Sequence, residues 1–222
     1  MNSGAAAPLL AAQGPFLASV ATYYSEKIQQ YGAVPLGVDW SCVPTQEMRF
    51  VQLLKLCDFS SDFSLNDVGC GYGALLQYMN RRRLRSRVDY LGTDLSQDMI
   101  AAATERWRSQ RLAEFSVACN TPRVADYSVA SGTFNVKLQA SDEAWELLVG
   151  DSLECLHRMS RRGFAVNFLC PPMRAESRIP ELYYAESERW ASHCEERFGV
   201  DVEVLSGYGL KEYTLLVRRR TG

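Results

Sequence analysis

Residues 63–76 constrain this chain more than any other stretch. A partly apolar, alternating run ends at Asp67, glycines follow at alternate positions (Gly69, Gly71 and Gly73), and helical character begins at Ala74. That order predicts a strand, a tight turn and a helix start. Glycine there lets the backbone take positive φ and come close to a ligand, while the free amides of the helix start offer donors and positive potential. Such a turn holds a nucleotide-like molecule. Gly69, Gly71 and Ala74 also satisfy the looser dinucleotide pattern G-x-G-x-x-G/A, with Asp89 about 20 positions after Gly69. The glycines alone leave both ligand classes open.

At 222 residues the chain is long enough for one α/β domain with a full core and short for two. The reading is a single domain in three parts: a flexible leader over 1–15, an N-terminal helical cover over 16–57, and a nucleotide-binding core over 58–222. The leader is small and apolar, but it has no Lys or Arg before Lys27 and is interrupted by Pro8, Gly14 and Pro15, which argues against a signal peptide. No run approaches the roughly 20 apolar residues of a membrane span. A net charge of -2 and a pI near 5.8 give no general field for nucleic acid or anionic membrane. The basic clusters at Arg81, Arg82, Arg83, Arg85 and Arg87, and at Arg218, Arg219 and Arg220, read as solvated helix-end and tail charges. The seven cysteines include no C-x-x-C pair, which suggests reduced, buried thiols in a cytoplasmic protein and no metal site.

Taken in order, residues 16–31 have helical spacing and end at Gly32, and 45–56 form a second helix with Thr45 as a plausible cap. After the glycine turn a helix runs over 74–85. Residues 88–94 are a second strand, Ser96 caps the next helix, and 114–120 are a third strand. The fourth strand and its exit loop cover 125–136. A helix follows over 142–159, then an almost wholly apolar fifth strand over 163–169, as a central parallel strand should be. The last long helix spans 181–198. Two final strands separated only by residues 207–210 must form a hairpin, because a parallel return needs a crossover of a dozen residues or so.

The acid directly before the glycines, Asp67, and a second acid at the end of the next apolar run, in Thr93-Asp94-Leu95-Ser96, separate the two ligand classes. Asp67-x-Gly69-x-Gly71-x-Gly73 resembles the first motif of the class I S-adenosylmethionine (SAM) dependent methyltransferases. The resemblance implies a Rossmann-like fold, a mostly parallel seven-stranded sheet whose C-terminal strand is antiparallel. It also implies SAM as cofactor, with Asp67 facing the methionine ammonium, usually through water, and Asp94 accepting the ribose hydroxyls. Leu95 and Met99 would pack on adenine. Where the family commonly places an acid at the end of the third strand, this chain has Cys119 and Asn120, so Asn120 is the candidate for the adenine amino group.

The N-terminal part is similar to that of a group of small bacterial methyltransferases, through Tyr23, Tyr24, Gly37, Val38, Asp39, Trp40, Gln46, Arg49 and Phe50. By that likeness Trp40 and Arg49 belong to the cofactor site, Arg49 pairing with the methionine carboxylate as a planar fork to a planar acceptor. Ser131, Thr133, Phe134 and Asn135 follow the fourth strand, where an open parallel sheet binds its ligands; Ser131 is assigned to the cofactor, and the other three to the methyl acceptor with Tyr23, Tyr24 and Tyr208. Tyr24 and Tyr208 are the candidates for a general base. The two histidines, His157 and His193, fall on helices away from strand ends and read as structural. The aromatic cover suits a small molecule acting as acceptor through oxygen or nitrogen. An RNA methyltransferase, a non-catalytic SAM-binding protein and a NAD-binding oxidoreductase are the alternatives. Cys170-Pro171-Pro172-Met173 echoes a loop of nucleic-acid amino methyltransferases, but it follows the fifth strand rather than the fourth and reads as a plain loop.

Overall fold

The computed structural model describes residues 6–82 and 86–220. Arg83 and Arg85 of the first basic cluster, and residues 1–5 of the leader, lie outside the described residues. Strands β1 (Phe63–Val68), β2 (Val88–Asp94), β3 (Ala113–Val117), β4 (Ala125–Ala130), β5 (Ser160–Leu169), β6 (Asp201–Leu205) and β7 (Glu212–Arg218) form one sheet in the order β3-β2-β1-β4-β5-β7-β6. The pairs from β3 through β5 are parallel, and β7 runs antiparallel to both β5 and β6. This is the Rossmann-like methyltransferase sheet, with the hairpin at its edge. Between β1 and β4 the strand order reverses, which leaves a crevice outside their carboxyl ends.

Among the described residues six α-helices accompany the sheet: α1 (Ala6–Tyr31), α2 (Val43–Leu54), α3 (Ala74–Arg81), α4 (Gln97–Trp107), α5 (Asp142–Arg158) and α6 (Ser187–Phe198). The period-2 alternation of the central strands divides the core into two layers. Phe164, Val166 and Phe168 of β5 join Trp145, Leu148 and Trp190 on one face. Ala165 of β5 and Leu216 of β7 join Phe50, Leu53, Leu75 and Tyr90 on the other.

Several boundaries differ from the sequence reading, each for a local reason. The first helix begins at Ala6 rather than at residue 16: Pro8 falls in its first turn, where a missing N–H costs nothing. Helix α2 starts at Val43 after Cys42, with Pro44 in its first turn; Thr45 is therefore inside the helix, and its hydroxyl donates back to the Cys42 carbonyl (3.0 Å) instead of capping. Strand β3 stops at Val117, short of residue 120. The last helix starts at Ser187, not 181. Residues 181–186 are extended instead: Tyr183 and Ala185 donate their amides to the carbonyls of Asn135 (2.9 Å) and Leu169 (3.1 Å), which draws this segment across the exit of β4. Of the cysteines, Cys70, Cys155 and Cys194 are buried as expected, whereas Cys42 is exposed. The described arginines of the basic clusters are largely engaged: Arg81 pairs with Glu47, Arg87 with Asp62 (2.8 Å), Arg218 with Glu203 (3.0 Å) and Arg220 with Asp201 (3.0 Å).

Candidate active site

The turn after β1 is fastened to the end of β2. The amides of Gly69 and Cys70 both donate to the Thr93 carbonyl (2.8 and 2.9 Å), and the amide of Gly71 donates to Asp94 Oδ2 (2.9 Å). At Gly71 φ is 54°, and a Cβ would stand 3.0 Å from Val38 Cγ1, inside the space the turn faces. Gly73 plays a different part from the one expected. A Cβ there would lie 2.5 Å from Trp107 Nε1, and the residue is absent from the wall of the site, so it admits α3 against α4 rather than touching a ligand.

Above the carboxyl ends of β1, β2 and β4 lies a cavity of about 610 Å³. Its roof is the N-terminal cover. Helix α1 is tied across α4 by hydroxyl contact between Ser25 and Ser96 (2.8 Å) and by Gln29 Nε2 donating to Asp98 Oδ2 (2.9 Å). Ser96 also caps α4 as expected, accepting from the Met99 amide (3.2 Å). The cavity wall includes Asp67, Gly69, Gly71, Asp94, Leu95, Met99, Asn120, Ser131 and Trp40 from the predicted cofactor set. From the predicted acceptor set it includes Tyr23, Tyr24, Thr133, Phe134 and Asn135.

The two acids differ in their surroundings. Asp67 is 2% exposed; Oδ2 accepts from the Tyr90 hydroxyl (2.5 Å) and Oδ1 has no partner. Burial pushes its carboxyl up to about 7, against the pull of Tyr90, with the nearby Asp94 charge adding to the rise. Burial also raises Asp94, but backbone amides oppose the rise: Oδ1 accepts from Ser96 and Oδ2 from Gly71, both at 2.9 Å. The lone pairs left on each oxygen can still receive a pair of hydroxyls. Asp89, the acid required by the dinucleotide reading, sits at the opposite end of β2, where Arg123 Nη1 donates to it (2.9 Å).

Arg49 is where the structure departs furthest from the resemblance. The side chain is 0% exposed, and its fork is already filled: Nε donates to Glu212 Oε2 (2.9 Å) and Nη2 to Glu212 Oε1. Asn167 Nδ2 also donates to Glu212 (2.8 Å), and Asn167 Oδ1 accepts from the Gly132 amide (2.9 Å), so one buried network joins α2, β5, β7 and the loop after β4. A fully buried guanidinium requires such a counter-charge. The Trp40 ring covers Arg49 at 3.4 Å, and only Nη1, beside Gly132, has no partner. A bidentate grip on a ligand is therefore excluded, and Arg49, expected in the cofactor site, is absent from the cavity wall.

Neither base candidate is placed to take a proton. Tyr208 is not among the cavity residues; its hydroxyl meets Thr214 Oγ1 (3.0 Å), and burial pushes it up to about 12. Tyr24 lines the cavity, but burial holds its phenol far above the ordinary value, so it keeps its proton at neutral pH. Tyr23 lines it too, with its hydroxyl donated to Asp39 (2.7 Å), which Lys27 also pairs at 2.7 Å. His157 stacks on Phe198 (4.6 Å) and His193 meets the edge of Trp190, away from the cavity. Among the described residues no group of His, Cys, Asp and Glu is arranged to hold a metal ion, and no helix is long and apolar enough to cross a membrane.

Sequence reasoning missed Glu212 and Asn167, and it missed the far wall built by Leu17, Val20, Trp145, Leu148 and Leu182. The signal available for Leu182 was the short apolar run over residues 182–185, which suits an extended segment as well as a helix.

Comparison with known proteins agrees with this geometry. A family model described as a methyltransferase domain matches residues 66–163. Rv1506c of Mycobacterium tuberculosis, whose name assigns it provisionally to the methyltransferases, is 40% identical over 166 residues, covering 75% of this chain and 99% of that protein. Human N-acetylserotonin methyltransferase, solved in complex with SAM, matches with a TM-score of 0.63 at 15% identity, over 94% of this chain and 60% of its own. Magnesium protoporphyrin IX methyltransferase from Synechocystis PCC 6803, solved with bound SAM, gives 0.55 at 13% identity, over 80% of this chain and 79% of its own. At such identities these two structures speak for the fold.

Proposed function

Since the chain belongs to the class I SAM-dependent methyltransferases, with SAM as cofactor, we propose that it methylates an oxygen or nitrogen of a small molecule held beneath its N-terminal cover. The residues present fit the cofactor: Asp67, in the cavity wall, keeps one buried polar atom without a partner, and the turn at Gly71 is a cradle that a side chain would fill. In this reading Asp67 faces the ammonium, Asp94 the ribose, Leu95 and Met99 the adenine, and Asn120 its amino group, while Arg49 holds Trp40 and Glu212 from behind the cavity wall. When bound, SAM supplies a methyl carbon made electrophilic by its sulfonium. The chain aligns the acceptor with that carbon and keeps water out, through the cover and the apolar wall. Tyr24, protonated, shapes the pocket and can donate a hydrogen bond.

The observation that carries the small-molecule reading is the far half of the cavity, which remains beyond the cofactor groups, roofed by α1 and walled mostly by apolar side chains. A polymer would need an open basic groove, and among the described residues no Lys, Arg or His lines this cavity. N-acetylserotonin and magnesium protoporphyrin IX, named for the two solved neighbours, are likewise small molecules. Transfer of labelled methyl from SAM into the low-molecular-mass fraction of cell extract tests the reading. Tyr24→Ala should cut that transfer at least tenfold while SAM affinity stays within about threefold, as expected for a lost pocket wall. Unchanged transfer would mean that the cover does not shape the acceptor site.

A further inference from the structure

A buried pair of charges meets the wall of the cavity. Arg49 of α2 is 0% exposed and Glu212 of β7 3%, and the buried Asn167 of β5 completes the group. Taking two charges out of water is costly, and apolar residues of similar volume in their place are often neutral or stabilising. Stability is therefore weak ground for such a pair, and what it fixes in space matters more. Glu212 accepts from Arg49 Nε (2.9 Å), Arg49 Nη2 and Asn167 Nδ2 (2.8 Å), while Asn167 Oδ1 accepts from the Gly132 amide (2.9 Å). Glu212 and Gly132 line the cavity, as does Trp40, whose ring lies 3.4 Å over the guanidinium; Arg49 and Asn167 stand behind them.

These wall residues come from different parts of the chain. Trp40 belongs to the cover, just before α2, and Gly132 to the loop after β4. They meet at Arg49: a Cβ at position 132 would overlap Nη1 and stand 3.6 Å from Trp40 Cζ2. Thr133, next in the loop, donates to the Val68 carbonyl (2.8 Å), and a Cβ on Gly69 would lie 2.5 Å from its Oγ1. A shift of the loop therefore reaches the glycine turn.

Building on the cofactor reading, we infer that Arg49, Glu212 and Asn167 are positioning residues, whose network sets Trp40 and the 131–133 loop at the spacing the cofactor needs. The doubly bonded fork fixes the plane of the guanidinium, and the stacked indole takes its tilt from that plane. Asn167 passes the same reference to the Gly132 amide. An apolar filling would occupy the space without direction, and a lysine would keep the charge without the plane. Small displacements of a wall held in this way are enough to lose binding.

The full chain, labelled with 5-fluorotryptophan, is titrated with S-adenosylhomocysteine by calorimetry and followed by fluorine NMR, with the Trp40 line assigned through Trp40→Phe. Arg49→Met combined with Glu212→Gln removes both charges and leaves Asn167 an acceptor. This variant should remain folded at the titration temperature, bind S-adenosylhomocysteine at least about tenfold more weakly, and show the Trp40 line moved or broadened. Arg49→Lys should lose at least about fivefold, with the same change in the line. A folded variant that binds within about twofold of the parent, or leaves the Trp40 line in place, makes the pair merely structural and overturns the inference. If the double variant does not fold, Arg49→Lys decides alone; if neither folds, the pair serves the fold and the inference is overturned. Failure of S-adenosylhomocysteine to bind the parent chain would instead overturn the methyltransferase reading, which the other outcomes leave standing.

Discussion

At the end of the cavity proposed for the cofactor the shape is set by backbone: the Gly69–Gly71 turn, pinned to the Thr93 carbonyl, and Asp94, whose oxygens are fixed by two amides. At the end proposed for the acceptor it is set by side chains from α1, α5, the loop after β4 and the extended segment before α6. The first is a local construction, made by residues close in sequence or adjacent on paired strands. The second exists only when four distant segments meet. The contrast teaches that one sheet can keep a fixed cofactor grip while its acceptor pocket is reshaped by substitutions that never touch the glycine turn.

Changes at the cofactor end should therefore show in SAM binding. The largest effect is expected from Gly71→Val, whose β-branched side chain combines positive φ with an overlap on Val38: SAM affinity should fall at least about 100-fold, with the melting temperature showing a folded sheet. Calorimetric titration checks it, and near-parental affinity would show that the turn does not approach the ligand. Asp94→Ala comes next. Loss of a charge-assisted acceptor costs about 1.5–3 kcal/mol, roughly 10- to 150-fold in SAM affinity, whereas Asp89→Ala, at the other end of β2, should stay within about twofold. Equal effects of the two would erase the distinction between this site and a dinucleotide one.

The smallest effect is a pH dependence. An acid whose folded pKa lies near 7, above its ordinary 3.8, keeps a proton in the native state that the unfolded chain has released. Its contribution to stability is thus greatest below about pH 4 and is lost as pH rises through 7. A cationic ammonium beside Asp67 favours the charged form, so SAM affinity should rise several-fold from pH 6 to 7.5, with proton release on binding. Asp67→Asn should flatten both trends. Thermal melts and calorimetry in buffers of different ionisation enthalpy measure them, and a parental slope in the variant would assign the titration to another group.

The same division explains what the sequence reveals. The strand–turn–helix at Asp67–Ala74, the position of Asp94 at the end of β2, the Ser96 cap and the closing hairpin are all specified by neighbours or by short connections, and each is where the residues predict. Arg49 is legible as a cover residue but not in its role, because its partner Glu212 is 163 positions away and belongs to a strand that pairs with β5. Tyr208 fails for a related reason: a loop sequence does not say whether a ring turns toward the cavity or toward Thr214. The start of α6 is lost because residues 181–186 have helical composition, while their amides are drawn to Asn135 and Leu169 by the tertiary fold.

The central claim, methyl transfer to a small molecule under the cover, is tested most directly by incubating the full chain with methyl-labelled SAM and a cell extract separated into RNA, protein and low-molecular-mass fractions. The account predicts label in the low-molecular-mass fraction, lost when Asp94→Ala replaces the parent. Label confined to RNA or protein, or SAM binding with no transfer into any fraction, would contradict it.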